Sequence, residues 1–281
     1  MFLYQDPCGI RGLRFDIVRH LLQRNASTEI LSNMRSSALH RLAAQAWTAA
    51  HQPDPTIYDS SITSDVDFDP IVFDQELLTD EPAYVDELDV TEAQIVRWHG
   101  ILNEVFGGPY WRDYLLRGEI EAAERVKRVL LTYRNRLRTL TRFAASCPIS
   151  KTPASSPLHY LTFCSRHPDA LILMNNAMRK ATKEYDYAVA HHGTLFDKTR
   201  WSGRSGKEQL IVDEVNRALR KSPGMSRRDT VASVLGRRFR TFMSKEVTEQ
   251  IGNMYKRGDL TSDRARLNDD ACLWINQKSL L

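Results

Sequence analysis

The chain lacks several features that would quickly assign it to a class. No apolar stretch approaches the roughly 20 residues of a membrane-spanning helix, which excludes an α-helical membrane protein. No basic segment followed by a cleavable apolar core opens the sequence, so no secretory leader is expected. The four cysteines, Cys8, Cys147, Cys164 and Cys272, are far apart and include no C-x-x-C pair. That spacing argues against a disulfide framework or a zinc site and predicts free, buried thiols in a reducing cytoplasm. His191, His192 and Asp197 match no standard metal-ligand spacing, and no metal site is expected. No Ser-His-Asp or Cys-His arrangement can be argued from spacing, and no internal repeat is found.

The most informative absence is of positive charge. Between Leu42 and Val96 there is no Lys or Arg, against 13 Asp and Glu. The net charge of +4 therefore conceals a segregation. The rest of the chain holds 39 basic residues against 22 acidic ones (35 less 13), a balance of +17. Basic surfaces of that size usually meet polyanions, although a solvated charged face is the plain alternative. A hydrophobic fraction of 42% and a charged fraction of 26% place the chain among soluble globular proteins.

Met1-Phe2-Leu3-Tyr4-Gln5 is a short apolar run ending abruptly in Asp6-Pro7-Cys8-Gly9, as a buried strand ends at the carboxyl edge of an α/β sheet. Phe15, Val18, Leu21 and Leu22 then recur at helical spacing over 14–23, a strand follows at 29–34, and 38–50 is helical. Strand, helix, strand, helix is the alternation of a parallel sheet. Residues 51–90 interrupt it as an acidic surface insertion. Thr91-x-x-Gln94 caps a helix whose apolar face is Ile95, Trp98, Ile101, Leu102 and Val105, and Gly107-Gly108-Pro109 stops it. The pattern then predicts an aromatic segment over 110–116, an amphipathic helix over 119–136, a strand over 140–145 and a Pro/Ser-rich loop over 147–157. A strand over 158–164 and a helix over 170–183 follow. A linker rich in Gly, Ser and Arg at 199–206 divides a first domain, 1–200, from a second, 205–281.

The second domain reads as three helices and a hairpin. The first helix spans 208–221, Ser226-x-x-Asp229 caps the second, and the third begins near Ser244 and ends at Gly258. Residues 260–267 and 271–275 form the hairpin. This is the order of a winged helix-turn-helix, which lays its third helix in a nucleic-acid groove and touches phosphate with its flanks and wing. The candidates for nucleic-acid contact are Arg227, Arg228, Arg237, Arg238, Arg240, Lys245, Lys256, Arg257, Arg264 and Arg266. Glu246 and Glu249 on the third helix oppose that role.

Asp6-Pro7 is the sharpest chemical signal in the first domain. Amino-group methyltransferases place Asp or Asn before Pro at this strand end, where the carboxylate and the Pro-side carbonyl accept hydrogen bonds from the target amine. The same dipeptide is often only a turn. Asp6 and Pro7 are the candidate catalytic residues. A methyl-donor site also needs a Gly-rich turn after a first strand and an acidic residue after a second, and neither pattern occurs in this chain.

With these residues in view, the chain resembles the three-Cys-motif partner proteins. The likeness runs through Phe2-Leu3-Tyr4-Gln5-Asp6-Pro7-Cys8-Gly9-Ile10-Arg11-Gly12, where the family reads F-x-D-P-F-G-x-x-G. It continues at Glu29–Met34, at Val105-Phe106-Gly107 through Trp111-Arg112, and at Leu161–Pro168. Cys8 departs from the family's aromatic, and the family's amino-terminal half, with its glycine-rich strand, has no counterpart here. The resemblance implies a partial Rossmann-like, methyltransferase-like α/β domain followed by a winged helix. It also implies S-adenosylmethionine as cofactor, with the half that binds it not present in this chain. Two partners are implied: nucleic acid at the winged helix, and a protein that supplies the missing half or is a radical-enzyme-like neighbour. The expected function is methyltransferase-like and nucleic-acid-associated, incomplete as a catalyst alone. The alternative is a non-catalytic accessory module of a phage, mobile-element or defence-related system.

Overall fold

Phe2–Gln5 forms β1, Phe15–Gln23 helix α1 and Glu29–Arg35 strand β2, and the two strands pair in parallel from Phe2 opposite Glu29 to Gln5 opposite Ser32. The structure is a computed structural model and describes residues 1–5, 14–24, 26–35, 39, 92–116, 120, 122–150, 157–191 and 204–276. The acidic insertion at 51–90, the helix expected over 38–50 (apart from Leu39) and the Thr91 cap lie outside the described residues.

After the insertion come α2 (Glu92–Phe106), a 3-10 turn (Pro109–Trp111), α3 (Arg112–Leu115) and α4 (Ala122–Leu140). Two further strands follow, β3 (Phe143–Ile149) and β4 (His159–Ser165), and then α5 (Pro168–His191). The sheet order is β1-β2-β4-β3, with β4 antiparallel to both of its neighbours. The expected parallel sheet is therefore realised only at β1–β2, and the sheet as a whole is mixed. The reason is length: nine residues separate β3 from β4, too few for the dozen or more that a parallel crossover needs. β3 also runs on to Ile149, through part of the stretch expected to be loop. Pro148 sits on this outermost strand, where a missing N–H breaks no sheet hydrogen bond.

Alternation along the strands assigns the two faces. Ile30, Met34, Ala144, Tyr160 and Cys164 turn to one side and pack with Phe15, Val18 and Leu22 of α1, Leu102 and Phe106 of α2, and Val126, Tyr133 and Leu137 of α4. Gly107 ends α2 at φ 73°, and a side chain there would run into the Phe15 ring. Phe143, Ala145, Cys147 and Phe163 turn to the other side, against Leu171 of α5.

The carboxyl-terminal stretch holds α6 (Arg204–Lys221), β5 (Met225–Ser226), α7 (Arg227–Arg237), α8 (Ser244–Arg257), β6 (Leu260–Ser262) and β7 (Cys272–Ile275). Its strands form a second, antiparallel sheet in the order β5-β7-β6. Ile211, Val215, Leu235, Phe242, Val247, Ile251 and Leu273 make its core. Ala232 and Phe239 of this unit join the cluster on the second face of the larger sheet, so the two units share apolar packing.

Candidate nucleic-acid interface

The carboxyl-terminal unit is built from short-range devices. Ser226 Oγ accepts from the Asp229 N–H at 3.1 Å and caps α7, as the Ser-x-x-Asp spacing predicts. Glu246 Oε2 accepts from the Met243 N–H at 2.8 Å and so caps α8 from its third position. Burial alone would raise the Glu246 carboxyl, but Lys207 and the Met243 N–H together hold it below the usual carboxylate range. Glu246, which reads from sequence as a repulsive charge toward phosphate, is thus neutralised inside the unit. Gly258 closes α8 in the left-handed conformation.

Two consecutive asparagines of α5 fix this unit to the α/β body. Buried Asn175 accepts from the Arg240 N–H at 2.7 Å and donates to the Phe242 carbonyl at 2.8 Å. Asn176 exchanges two hydrogen bonds with Ser244, at 2.8 and 2.9 Å. The α7–α8 turn, with Arg240 at φ 66°, and the first residue of α8 are therefore held by side chains of the body. These asparagines escaped the sequence reading. Their signal is two amides in succession within the apolar run Leu171–Met178.

The ten basic candidates divide by what holds them. Arg227 donates to the Leu267 carbonyl at 3.1 Å and pairs with Asp269 at 2.6 Å, and Arg228 faces Asp169, Asp269 and Asp270. Both pin the base of the β6–β7 loop. Arg237 and Arg238 donate through Nε to the two oxygens of buried Glu214, at 2.8 and 2.9 Å. Arg257 pairs with Asp259 at 2.9 Å and Lys245 faces Glu249 at 3.8 Å. Arg240 lies in the turn before α8, near enough to Cys147 for its charge to act on the thiol. Lys256, Arg264 and Arg266 are exposed, and among the described residues none of the three side chains has an ion pair. Arg264 and Arg266 stand on the loop that Arg227 and Arg228 brace. On α8, Lys245, Glu249, Asn253 and Lys256 form one exposed face at helical spacing.

Asp6 and Pro7 lie outside the described residues, as do His192 and Asp197. Gln5, immediately before Asp6, ends β1, and its side-chain oxygen accepts from Ser32 Oγ at 3.0 Å. Gln5, Ser32, Thr162 and Ser146 stand side by side across all four strands, and the Thr162 and Ser146 hydroxyls are 3.0 Å apart. Desolvation raises the buried Cys147 thiol to about 11 and the Cys164 thiol to about 12, so neither is poised as a nucleophile. Among the described residues no group of three His, Cys, Asp or Glu could hold a metal ion, and no helix is long and apolar enough to cross a membrane. No protein-family model, no curated protein and no solved structure matches this chain.

Proposed function

We propose that the chain is a three-Cys-motif partner-like protein that associates with nucleic acid through a winged helix at 204–276. The observation that carries this reading is the run helix, strand, helix, helix, hairpin closing into a β5-β7-β6 sheet. In that arrangement α8 is the recognition helix and the β6–β7 loop is the wing. The unpaired side chains of Arg264 and Arg266 on that loop supply the phosphate contacts, while Arg227 and Arg228 set the loop's shape. The experiment is fluorescence anisotropy of labelled duplex and single-stranded DNA with the full chain over a range of salt. R264Q/R266Q should weaken binding at every sequence and lower the salt slope by about 2. Binding unaffected by this double variant would remove the wing from the reading.

The methyltransferase-like part of the proposal rests on Asp6-Pro7 following directly on β1, at the carboxyl end of the parallel pair. A strand order in which the last strand enters between its predecessors supports a Rossmann-like sheet of the methyltransferase type. A second reading, a non-catalytic module whose α/β body binds a partner protein, is favoured by β1. This strand forms one margin of the described sheet, and Phe2 and Tyr4 on it are each 52% exposed. Calorimetry with S-adenosylmethionine separates the two. Micromolar binding favours the methyl-transfer reading and its absence favours the module.

A further inference from the structure

The outer edge of β3 carries a set of arginines whose roles are unequal. Arg134 and Arg138 sit one helical turn apart on α4, so they share a face. Arg138 reaches over the sheet margin. Its Nε donates to the Ala144 carbonyl of β3 at 3.0 Å and its Nη2 to the Gly236 carbonyl of α7 at 3.2 Å. Just past the end of α4, in the turn before β3, Arg142 pairs with Asp229 of α7 at 2.9 Å. Arg138 and Arg142 thus tie α4 and the turn after it to α7.

Arg134 does not share that work. Its Nε is buried without a hydrogen-bond partner, and among the described residues no carboxylate pairs with it. Beside it stand Arg138 and Arg237, the latter adjoining Gly236 in sequence. Burial, and then the charge of Arg237, lowers the Arg134 pKa. Burial, followed by Arg134 and Arg237, pulls Arg138 down to about 10. Glu214 pairs with Arg237 of this group, and its two oxygens are taken by Arg237 and Arg238, with Arg217 3.9 Å away. Three arginines therefore share one carboxylate, and Arg134 and Arg138 draw on none of it. A purely architectural seam would need only Arg138 and Arg142. Arg134 adds like-charge repulsion and no bond.

We propose that Arg134, Arg138 and Arg237 form an oxyanion site at the β3 edge that takes a backbone phosphate of nucleic acid. The guanidinium fork suits phosphate, because its coplanar donors match two oxygens at once. An anion there offsets the crowding of the three cations and gives the buried Arg134 Nε an acceptor. The site belongs to both units, since α4 lies in the α/β body and Arg237 in the carboxyl-terminal unit. A bound strand would then cross the junction that Asn175 and Asn176 hold rigid. The inference rests on the nucleic-acid reading above and extends it to residues outside the winged-helix unit.

The test uses the full chain and R134Q, which removes a charge without removing a tie between the units. In anisotropy titrations with labelled DNA, R134Q should bind about eightfold more weakly at about 0.1 M salt, with the salt slope smaller by about 0.9, as for one lost phosphate contact. R134K should recover part of the loss. In parallel, inorganic pyrophosphate should raise the melting temperature of the unmodified chain and not that of R134Q. If R134Q matches the unmodified chain in both assays, the site is overturned. Weakening by R264Q/R266Q would in that case leave the wing reading standing. If the unmodified chain binds no DNA or RNA, yet R134Q still removes the pyrophosphate effect, the nucleic-acid reading fails and the site survives as one for free phosphates.

Discussion

The two units of this protein differ in how they are held together. In the carboxyl-terminal unit three helix boundaries carry caps from neighbours in sequence: Ser226 caps α7, Glu246 caps α8, and Gly258 ends it. In the α/β body the decisive contacts are distant. β2 pairs with β4 across more than a hundred residues, and β4 enters between strands that precede it. One unit is specified by capping chemistry and the other by sheet pairing and by what covers each face. The junction combines both, with buried amides from the body fixing the turn of the smaller unit.

The comparison can be broken most forcefully at that junction. Asn175→Ala strands the Arg240 N–H and the Phe242 carbonyl away from water, and should cost about 3 kcal/mol in urea unfolding. A cost under about 1 kcal/mol would mean the turn holds its own shape. Gly107→Ala tests the body, because it forces a side chain into the left-handed region and against the Phe15 ring. It should cost roughly 2–3 kcal/mol. Ser226→Ala removes one cap in the smaller unit and should cost about 1 kcal/mol in the same unfolding assay. The smallest effect concerns pH. The folded Cys164 thiol has its pKa raised to about 12, above that of the unfolded chain, so the folded state keeps a proton that the unfolded state loses. Stability from this group is complete below about pH 8 and falls as pH rises through the interval up to the folded value. Melting temperatures should decline from about pH 8 to about pH 9.5, less steeply in Cys164→Ala.

Much of the smaller unit was legible because caps and turn glycines are local signals. Ser226, Gly258 and the 260–275 hairpin stand where the spacing predicts them. In the body, β1, α1 and β2 follow the predicted alternation, and Gly107 ends α2. Only the first half of β3 was legible, as the strand expected over 140–145, since Pro148 and the serines around it read as loop until an outer-edge position makes the proline harmless. Helix α5 extends eight residues past the predicted Lys183, to His191, because Glu184, Tyr185, Asp186 and Tyr187 interrupt the apolar periodicity. Among the site residues, sequence alone could not separate Arg237 and Arg238 from Arg264 and Arg266. Glu214, which occupies the first pair, is more than twenty residues away along the chain. Arg134 reads only as one of the other positions of the amphipathic helix over 119–136 and Arg138 falls past its expected end, while the reach of Arg138 to α7 depends on the sheet edge between them.

The central claim is that this chain binds nucleic acid through phosphate contacts, and the dependence of binding on salt tests it most directly. Titrating the full chain against labelled DNA from about 0.05 to about 0.2 M salt should give a log–log line falling with a slope of about −3, for Arg134, Arg264 and Arg266. A flat line, or no binding at the lowest salt, would contradict the account.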